Sequence, residues 1–157
     1  MCSMHAGTLF NIIPDTAELL GTCRCFSREV WEKLPQVMER IASHTAQALR
    51  CTAEVKFERI VKPMINDDLP FDILEGAVKK VIDDPSQWVE APMTMGGEDF
   101  SAFSAKIPIA MVQLGADGGA HMHNCHVNFK EEAFPTGVAC YVQFALDALE
   151  RLNAETV

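Results

Sequence analysis

The stretch Thr8-Leu9-Phe10-Asn11-Ile12-Ile13-Pro14-Asp15, continued by Ala17-Glu18-Leu19-Leu20-Gly21-Thr22-Cys23-Arg24-Cys25-Phe26, decides how the first third of the chain is read. Thr8 to Ile13 is short, apolar and rich in β-formers, so it reads as a strand. Pro14-Asp15 reads as a turn and Ala17 to Phe26 as a second strand, which together make a hairpin. Ser27 then suits a helix N-cap. Beyond it Trp31, Leu34, Met38, Ile41, Thr45 and Ala48 recur at spacings of three and four, which puts them on one helical face. Pro35 stands awkwardly inside that helix. Ala53 to Ile60 alternates apolar and polar residues and reads as a half-buried strand. Strand, strand, helix, strand is the later two-thirds of a ferredoxin-like unit whose opening strand and helix would lie upstream, an order that suggests a truncated domain.

Composition shifts at Lys62-Pro63-Met64-Ile65-Asn66-Asp67-Asp68, the expected linker between a first domain, residues 1–62, and a second, residues 63–157. In the second, a short helix carries Phe71, Leu74, Val78 and Val81 on one face, and Trp88-Val89-Glu90 reads as a short strand. Met95-Gly96-Gly97-Glu98-Asp99-Phe100 is a glycine turn opening a short helix. Ile109 to Leu114 is a continuous apolar run and reads as a buried strand. A Gly- and His-rich loop follows, from Gly115 to Asn128. The final helix, from about Glu131 to Leu152, is expected to turn Phe134, Val138, Tyr141, Ala145, Leu149 and Leu152 inward. The fold class is α/β.

The 157 residues carry 13 Lys plus Arg against 22 Asp plus Glu, a net charge of −9. Such a chain gains nothing from a phosphate backbone or an anionic membrane surface, so neither nucleic acid nor membrane is expected as a partner. The six cysteines form no C-x-x-C pair and most sit in apolar runs, where a thiol acts as a small hydrophobe. A reducing, cytoplasmic setting is the expectation. No signal peptide is visible at Met1-Cys2-Ser3-Met4-His5, and no apolar run is long enough to span a bilayer.

Three places could carry chemistry. In Gly118-Gly119-Ala120-His121-Met122-His123-Asn124-Cys125-His126, three histidines fall within six positions directly after an expected strand end. Neutral imidazole is a common zinc ligand, yet three histidines so close together do not easily face one ion, and a polar surface loop explains them equally well. Glu98-Asp99 at a helix start favours the helix dipole, which is reason enough for their presence. The alternative is that they orient a metal ligand or a loop without touching the metal. Asn11 in an apolar stretch needs its amide satisfied, by a turn or by a substrate. Arg24, between two cysteines, points either to solvent or toward a ligand. No nucleophile elbow, phosphate loop or H-E-x-x-H helix is present.

These segments call for comparison as a set. Gly7-Thr8-Leu9-Phe10-Asn11-Ile12-Ile13-Pro14-Asp15 with Leu20-Gly21-Thr22-Cys23-Arg24 resembles the lid-domain signature of aminoacylases, hippurate hydrolases and auxin-conjugate hydrolases. Met95-Gly96-Gly97-Glu98-Asp99-Phe100-Ser101 is similar to the acidic motif near that family's active site. His123-Asn124, then Phe129-Lys130-Glu131-Glu132 and Pro135-Thr136-Gly137-Val138, resembles its last metal-ligand segment.

The resemblance implies the C-terminal half of a two-metal amidohydrolase. That means a ferredoxin-like lid remnant, through which the family often forms homodimers, followed by the C-terminal part of an α/β catalytic domain. The implied reaction is hydrolysis of an N-acyl amino acid to a carboxylic acid and an amino acid. Two divalent metals (zinc, manganese or cobalt) polarise the amide and activate water. The resemblance makes His123 a metal ligand, places Asn11 and Arg24 toward substrate, and gives Glu98 and Asp99 an orienting role. The family's other ligands and its Glu-Glu pair match nothing here, and Cys125 stands where a Pro commonly follows the His-Asn pair. The expectation is a hydrolase fragment with little activity alone. The alternatives are a non-catalytic binding or dimerisation module, or a small mononuclear metal protein built on His121, His123 and His126.

Overall fold

The computed structural model describes residues 1–154, which form two compact units. The first comprises Met1–Pro63 with Met95–Glu98, and the second Met64–Thr94 with Asp99–Val157. The division falls between Pro63 and Met64, and Met95–Glu98 groups with the first unit rather than with its sequence neighbours.

The first unit opens on a two-stranded antiparallel ladder, β1 (Ser3–Ala6) and β2 (Ala17–Leu20), with Ser3 opposite Leu20 and Ala6 opposite Ala17. A hairpin is present, but its first strand is not the expected one. Thr8 to Ile13 lies in the connection, as bends and turns. The cause is Gly7, whose φ of +71° turns the chain out of the ladder in a region that suits glycine. A Cβ on Gly7 would already touch Pro14, at 3.5 Å, so the connection folds back on itself there. Phe10 and Ile13 consequently stand almost fully exposed. The second strand ends at Leu20 rather than Phe26, and the last bond of the ladder among the described residues runs from the Cys2 N–H to the Leu20 carbonyl.

Helix α1 runs Arg28–Ala48. Ser27 caps it as expected, its hydroxyl accepting from the Val30 N–H at 3.3 Å. Its far end closes in a Schellman arrangement: the Cys51 N–H reaches the Ala46 carbonyl and the Arg50 N–H reaches Gln47, with Arg50 at φ +61°. The helix continues unbroken through Pro35. Trp31, Leu34 and Met38 are half-buried as the periodicity predicts, but Ile41 is exposed and Ala42 and Ala46 take over the covered face. A row of every fourth residue continues that face, and it drifts away from Ile41 and Thr45. The Trp31 indole N–H donates to the Val61 carbonyl at 2.9 Å, and the Arg59 guanidinium lies 4.8 Å over its ring while pairing with Glu32. These contacts hold residues 53–61 against the start of α1. The segment is not a strand, since no backbone pairs with it among the described residues. Its alternation survives nonetheless, with Val55 and Phe57 half-buried between exposed neighbours.

In the second unit, α2 (Asp68–Val81) and α3 (Phe134–Ala154) pack together. The sequence places the covered face of α2 correctly: Val78 is buried and Phe71, Leu74 and Val81 are half-buried. Lys80 of α2 pairs with Asp147 of α3 at 2.7 Å, and the same carboxylate accepts from Gln143 at 2.8 Å. The expected face of α3 is overturned. Phe134, Val138, Tyr141, Leu149 and Leu152 are exposed, whereas Gly137, Cys140, Phe144 and Asp147 are half-buried. A helix that is apolar on two faces has a periodicity that fits either. The choice fell to the face where Gly137 permits close approach, a Cβ there meeting the Leu114 side chain at 3.0 Å.

Neither Trp88 to Glu90 nor Ile109 to Leu114 forms a ladder strand. What holds the second of these is a pair of side chains. Asn66 bonds both backbone groups of Met111, its amide donating to the carbonyl at 3.1 Å and its oxygen accepting from the N–H at 2.8 Å. Next to it, the Asp67 carboxylate accepts from the Ile109 N–H at 2.8 Å and the Asp67 N–H donates to the Ile109 carbonyl at 2.8 Å. Ile109 is left only 2% exposed. The Ser101 hydroxyl is buried without a hydrogen-bond partner among the described residues, a local cost within the second unit.

Replacing Asn66 by Ala strands both polar groups of Met111, and urea denaturation should show a loss of about 2–3 kcal/mol. Asn66→Asp, which keeps the acceptor, should cost less. A second expectation concerns acid. Hydrogen bonds from Lys80 and then Gln143 hold the Asp147 carboxyl below its ordinary value of 3.8. Its contribution is complete above that value and is lost as pH falls through the lower folded one. Asp147→Asn should therefore lower the melting temperature at pH 6 and flatten its fall below pH 4.

Candidate metal-ligand loop

Gly115 to Asn128 is a constructed loop rather than a loose polar one. Its ends are joined by two backbone bonds, Asn128 N–H to the Gly118 carbonyl at 3.0 Å and Lys130 N–H to the Ala116 carbonyl at 2.8 Å. The Lys130 ammonium pairs with Asp117, holding that carboxyl below its ordinary range. Gly118 sits where no side chain fits, because a Cβ would stand 2.9 Å from a Val127 methyl and 3.3 Å from the Phe129 ring. Val127 is β-branched and has little freedom to move aside.

Two successive turns form the tip. The Asn124 N–H bonds the His121 carbonyl at 3.2 Å, and the Val127 N–H bonds the Asn124 carbonyl at 3.0 Å. The Asn124 side chain also accepts from the His126 N–H at 2.9 Å. Asn124 thus uses its N–H, carbonyl and side-chain oxygen to fix the residues on either side of it. His123 occupies the third position of the first turn with φ +64°, a place that ordinarily falls to glycine. A non-glycine residue held there is strained by about 1–3 kcal/mol, and such residues cluster at functional sites.

His121, His123 and His126 are all exposed, as is Cys125. No three His, Cys, Asp or Glu side chains converge to hold a metal among the described residues. The donor set fits a single imidazole ligand position. It does not fit a two-metal centre.

The remaining candidates are placed separately. Asn11 is exposed in the β1–β2 connection. Arg24 follows β2 in the same unit, where its guanidinium lies over Gly97 so closely that a Cβ would meet Nη1 at 2.7 Å. Glycine at 97 is what lets Arg24 lie against the Met95–Glu98 backbone. Glu98 is half-buried, and Asp99 begins the short 3-10 helix Asp99–Ala105, the opening the glycine turn predicts. The sequence reading missed the supports: Gly118, Asn124, the Asp117–Lys130 pair and Gly97. Clustered glycines beside the histidines and the carboxylates were the signal available for two of them.

The family model for peptidase family M20/M25/M40 matches residues 5–147. The chain is 31% identical to N-acetylcysteine deacetylase of Bacillus subtilis (strain 168), over 96% of this chain and 39% of that protein. It is 28% identical to IAA-amino acid hydrolase ILR1-like 4 of Arabidopsis thaliana, over 100% of this chain and 38% of that protein. Among solved structures it resembles the Bacillus subtilis YXEP protein, described as a dinuclear metal-binding peptidase from the M20 family. The TM-score there is 0.83 at 30% identity, covering 94% of this chain and 40% of that one. The chain spans about two fifths of the length of each of these three relatives. With a family model covering most of its residues and this agreement in fold, the chain belongs to the M20/M25/M40 peptidase family.

Proposed function

We propose that this chain supplies part of a metal-dependent amidohydrolase that cleaves N-acyl amino acids, and that His123 is its metal ligand. The observation that carries the reading is the backbone of His123. The loop holds a histidine, at a strained cost, where glycine would sit freely, inside the turn closed by the Asn124 N–H on the His121 carbonyl. His121 and His126 flank it without that constraint. The relatives support the substrate class, since one is named for deacetylation of N-acetylcysteine and another for hydrolysis of an amino-acid conjugate.

In this reading the first unit is the remnant of a lid domain through which the enzyme dimerises. Asn11 and Arg24 face the substrate from it, while Glu98 and Asp99 orient the loops that hold the ligands. Divalent metal (zinc, manganese or cobalt) binds only when further donors join His123, because one imidazole does not fix such an ion.

The isolated chain, assayed with N-acetylcysteine and hippurate in the presence of zinc, manganese or cobalt, should show no turnover above background. Robust metal-dependent hydrolysis by this chain alone would overturn the reading. In a chimera where the chain replaces the matched region of the Bacillus subtilis deacetylase, His123→Ala should lower metal affinity and activity by roughly a hundredfold or more. His121→Ala and His126→Ala should leave both near the parent value.

Strain gives a separate test on the isolated chain. His123→Gly should raise stability by about 1 kcal/mol over His123→Ala in urea denaturation. Equal stabilities would remove the observation on which the assignment of His123 rests.

A further inference from the structure

We propose that Cys23, Cys25 and Met38 form a soft-metal site in the first unit, one that takes a monovalent copper ion on two thiolates and a thioether. The site is independent of the functional reading above, which concerns His123 in the second unit.

The first observation is where three consecutive side chains go. The Cys23 thiol meets the Met38 thioether, sulfur to sulfur, at 3.4 Å. The Cys25 thiol donates to the Ser27 carbonyl, at the start of α1, also at 3.4 Å. Arg24, between them, is engaged elsewhere, against the backbone at Gly97. Such alternation is the habit of an extended chain, in which residues two apart share a face. The two thiols therefore share the face turned to α1, and the guanidinium is kept off it. Turning the Cys25 thiol about one side-chain bond, at the cost of a weak S–H bond, brings it toward Cys23 and Met38.

The second observation is exposure. A thiol packed in a core acts as a small hydrophobe and needs no other explanation. Cys23 is exposed, so burial does not account for its contact with Met38. Met38 is half-buried on α1, and its unbranched side chain can adjust to an incoming ion while its backbone stays in the helix. A metal reaches the pair directly from solvent.

The donor set decides which metal. Thiolates and thioethers are soft and select monovalent copper, whereas the hard cations take oxygen. Zinc is held by thiolate, imidazole and carboxylate, so the thioether is the donor that separates copper(I) from zinc here. No three His, Cys, Asp or Glu side chains gather in this unit among the described residues, and a set completed by methionine does not require it. On binding, each thiol gives its proton to solvent, two thiolate–copper bonds and one thioether–copper bond form, and the oxidation state of the metal is unchanged. The filled site carries one negative charge, and Arg24 is the cation beside it in the chain.

The test titrates the whole chain with copper(I) supplied as its bicinchoninate complex in oxygen-free buffer, and reads the loss of that complex's absorbance. Four further cysteines could bind copper on their own, so Cys2, Cys51, Cys125 and Cys140 are first replaced by Ser. One equivalent should still bind tightly in that background. There Cys23→Ser and Cys25→Ser should each weaken it by about a hundredfold or more, and Met38→Leu by about tenfold. Met38→Leu should leave zinc affinity unchanged. Silver(I), a diamagnetic soft substitute, should shift one methionine methyl resonance among the eight, the one that Met38→Leu removes.

Loss of the tight equivalent in the four-serine background would overturn the proposal, by assigning the copper to other thiols. Copper affinity untouched by Met38→Leu, with no methionine methyl moved by silver, would overturn it as well and leave an ordinary pair of thiols. Cys25 is half-buried, so Cys25→Ala accompanies Cys25→Ser, with circular dichroism as the check on folding. The silver-shifted methyl is read without substituting either thiol, and its absence overturns the site even if both Cys25 variants unfold.

Discussion

The second unit depends on one local constraint, the grip of Asn66 and Asp67 on the backbone of Ile109 and Met111. Ile109 is the most thoroughly buried aliphatic side chain of the unit after Ala77, and a buried residue must have its peptide groups satisfied. In a sheet a neighbouring strand does this. Here two consecutive residues do it, one through its side-chain amide and the other through a carboxylate and its own N–H. The same Asp67 stands at the N-cap position of α2, so the clamp also fixes where that helix begins. From there the consequences run in order. Ile109 fixes the segment ahead of Leu114, Leu114 meets α3 at Gly137, and the glycine lets α3 lie close. The His-rich loop leaves directly after Leu114 and returns at Lys130, just ahead of α3. Its two closing bonds therefore hang from a frame that the clamp has already set.

Features that depend on neighbouring residues in sequence were legible there. The Ser27 cap, the covered face of α2 and the glycine turn before Asp99 each depend on a few adjacent side chains, and each stands where the pattern puts it. Features that depend on a distant partner were not. Thr8 to Ile13, Ala53 to Ile60 and Ile109 to Leu114 all have the composition of strands, but a strand is a relation between two backbones. Among the described residues none of the three joins a ladder with a second backbone, and Ile109 to Leu114 meets one only at the Asp67 N–H. The α3 error has a related cause. Its two apolar faces fit one periodicity equally well, and only the contact between Leu114 and a glycine decided between them. The Asn66–Asp67 clamp was hidden for the opposite reason: polar residues after a Pro read as a linker, and nothing in their spacing points to a partner more than forty positions away.

The site divides along the same line. Histidines near the end of an apolar run are visible in the sequence, and so is the pair of carboxylates after two glycines. What the sequence does not show is that Asn124 ties the loop's tip together and that His123, alone of the three histidines, sits at positive φ. Gly118 and Gly97 illustrate the difference between flexibility and fit. Each lies where the volume of a methyl group is already occupied, by Val127 and Phe129 in one case and by the Arg24 guanidinium in the other. These glycines make close packing possible around the candidate residues, and a reading of them as loose hinges would be mistaken.

His123 is where the local rules and the structure conflict most usefully. The third position of its turn accepts glycine without cost and histidine only under strain. Among the described residues two other non-glycine residues share a positive φ, and their settings differ. Arg50 ends a helix in a Schellman arrangement, where the hydrogen bonds at the helix end repay the strain locally. Asp117 is tied down by Lys130 at the root of the loop. His123 makes no such local bond with its side chain among the described residues. Its ring is exposed, and the turn bonds around it belong to the backbones of His121, Asn124 and Val127. A strained residue whose side chain does nothing for the local fold is best explained by a requirement outside it. Under the proposed function that requirement is a metal ion, which an exposed imidazole suits by its chemistry.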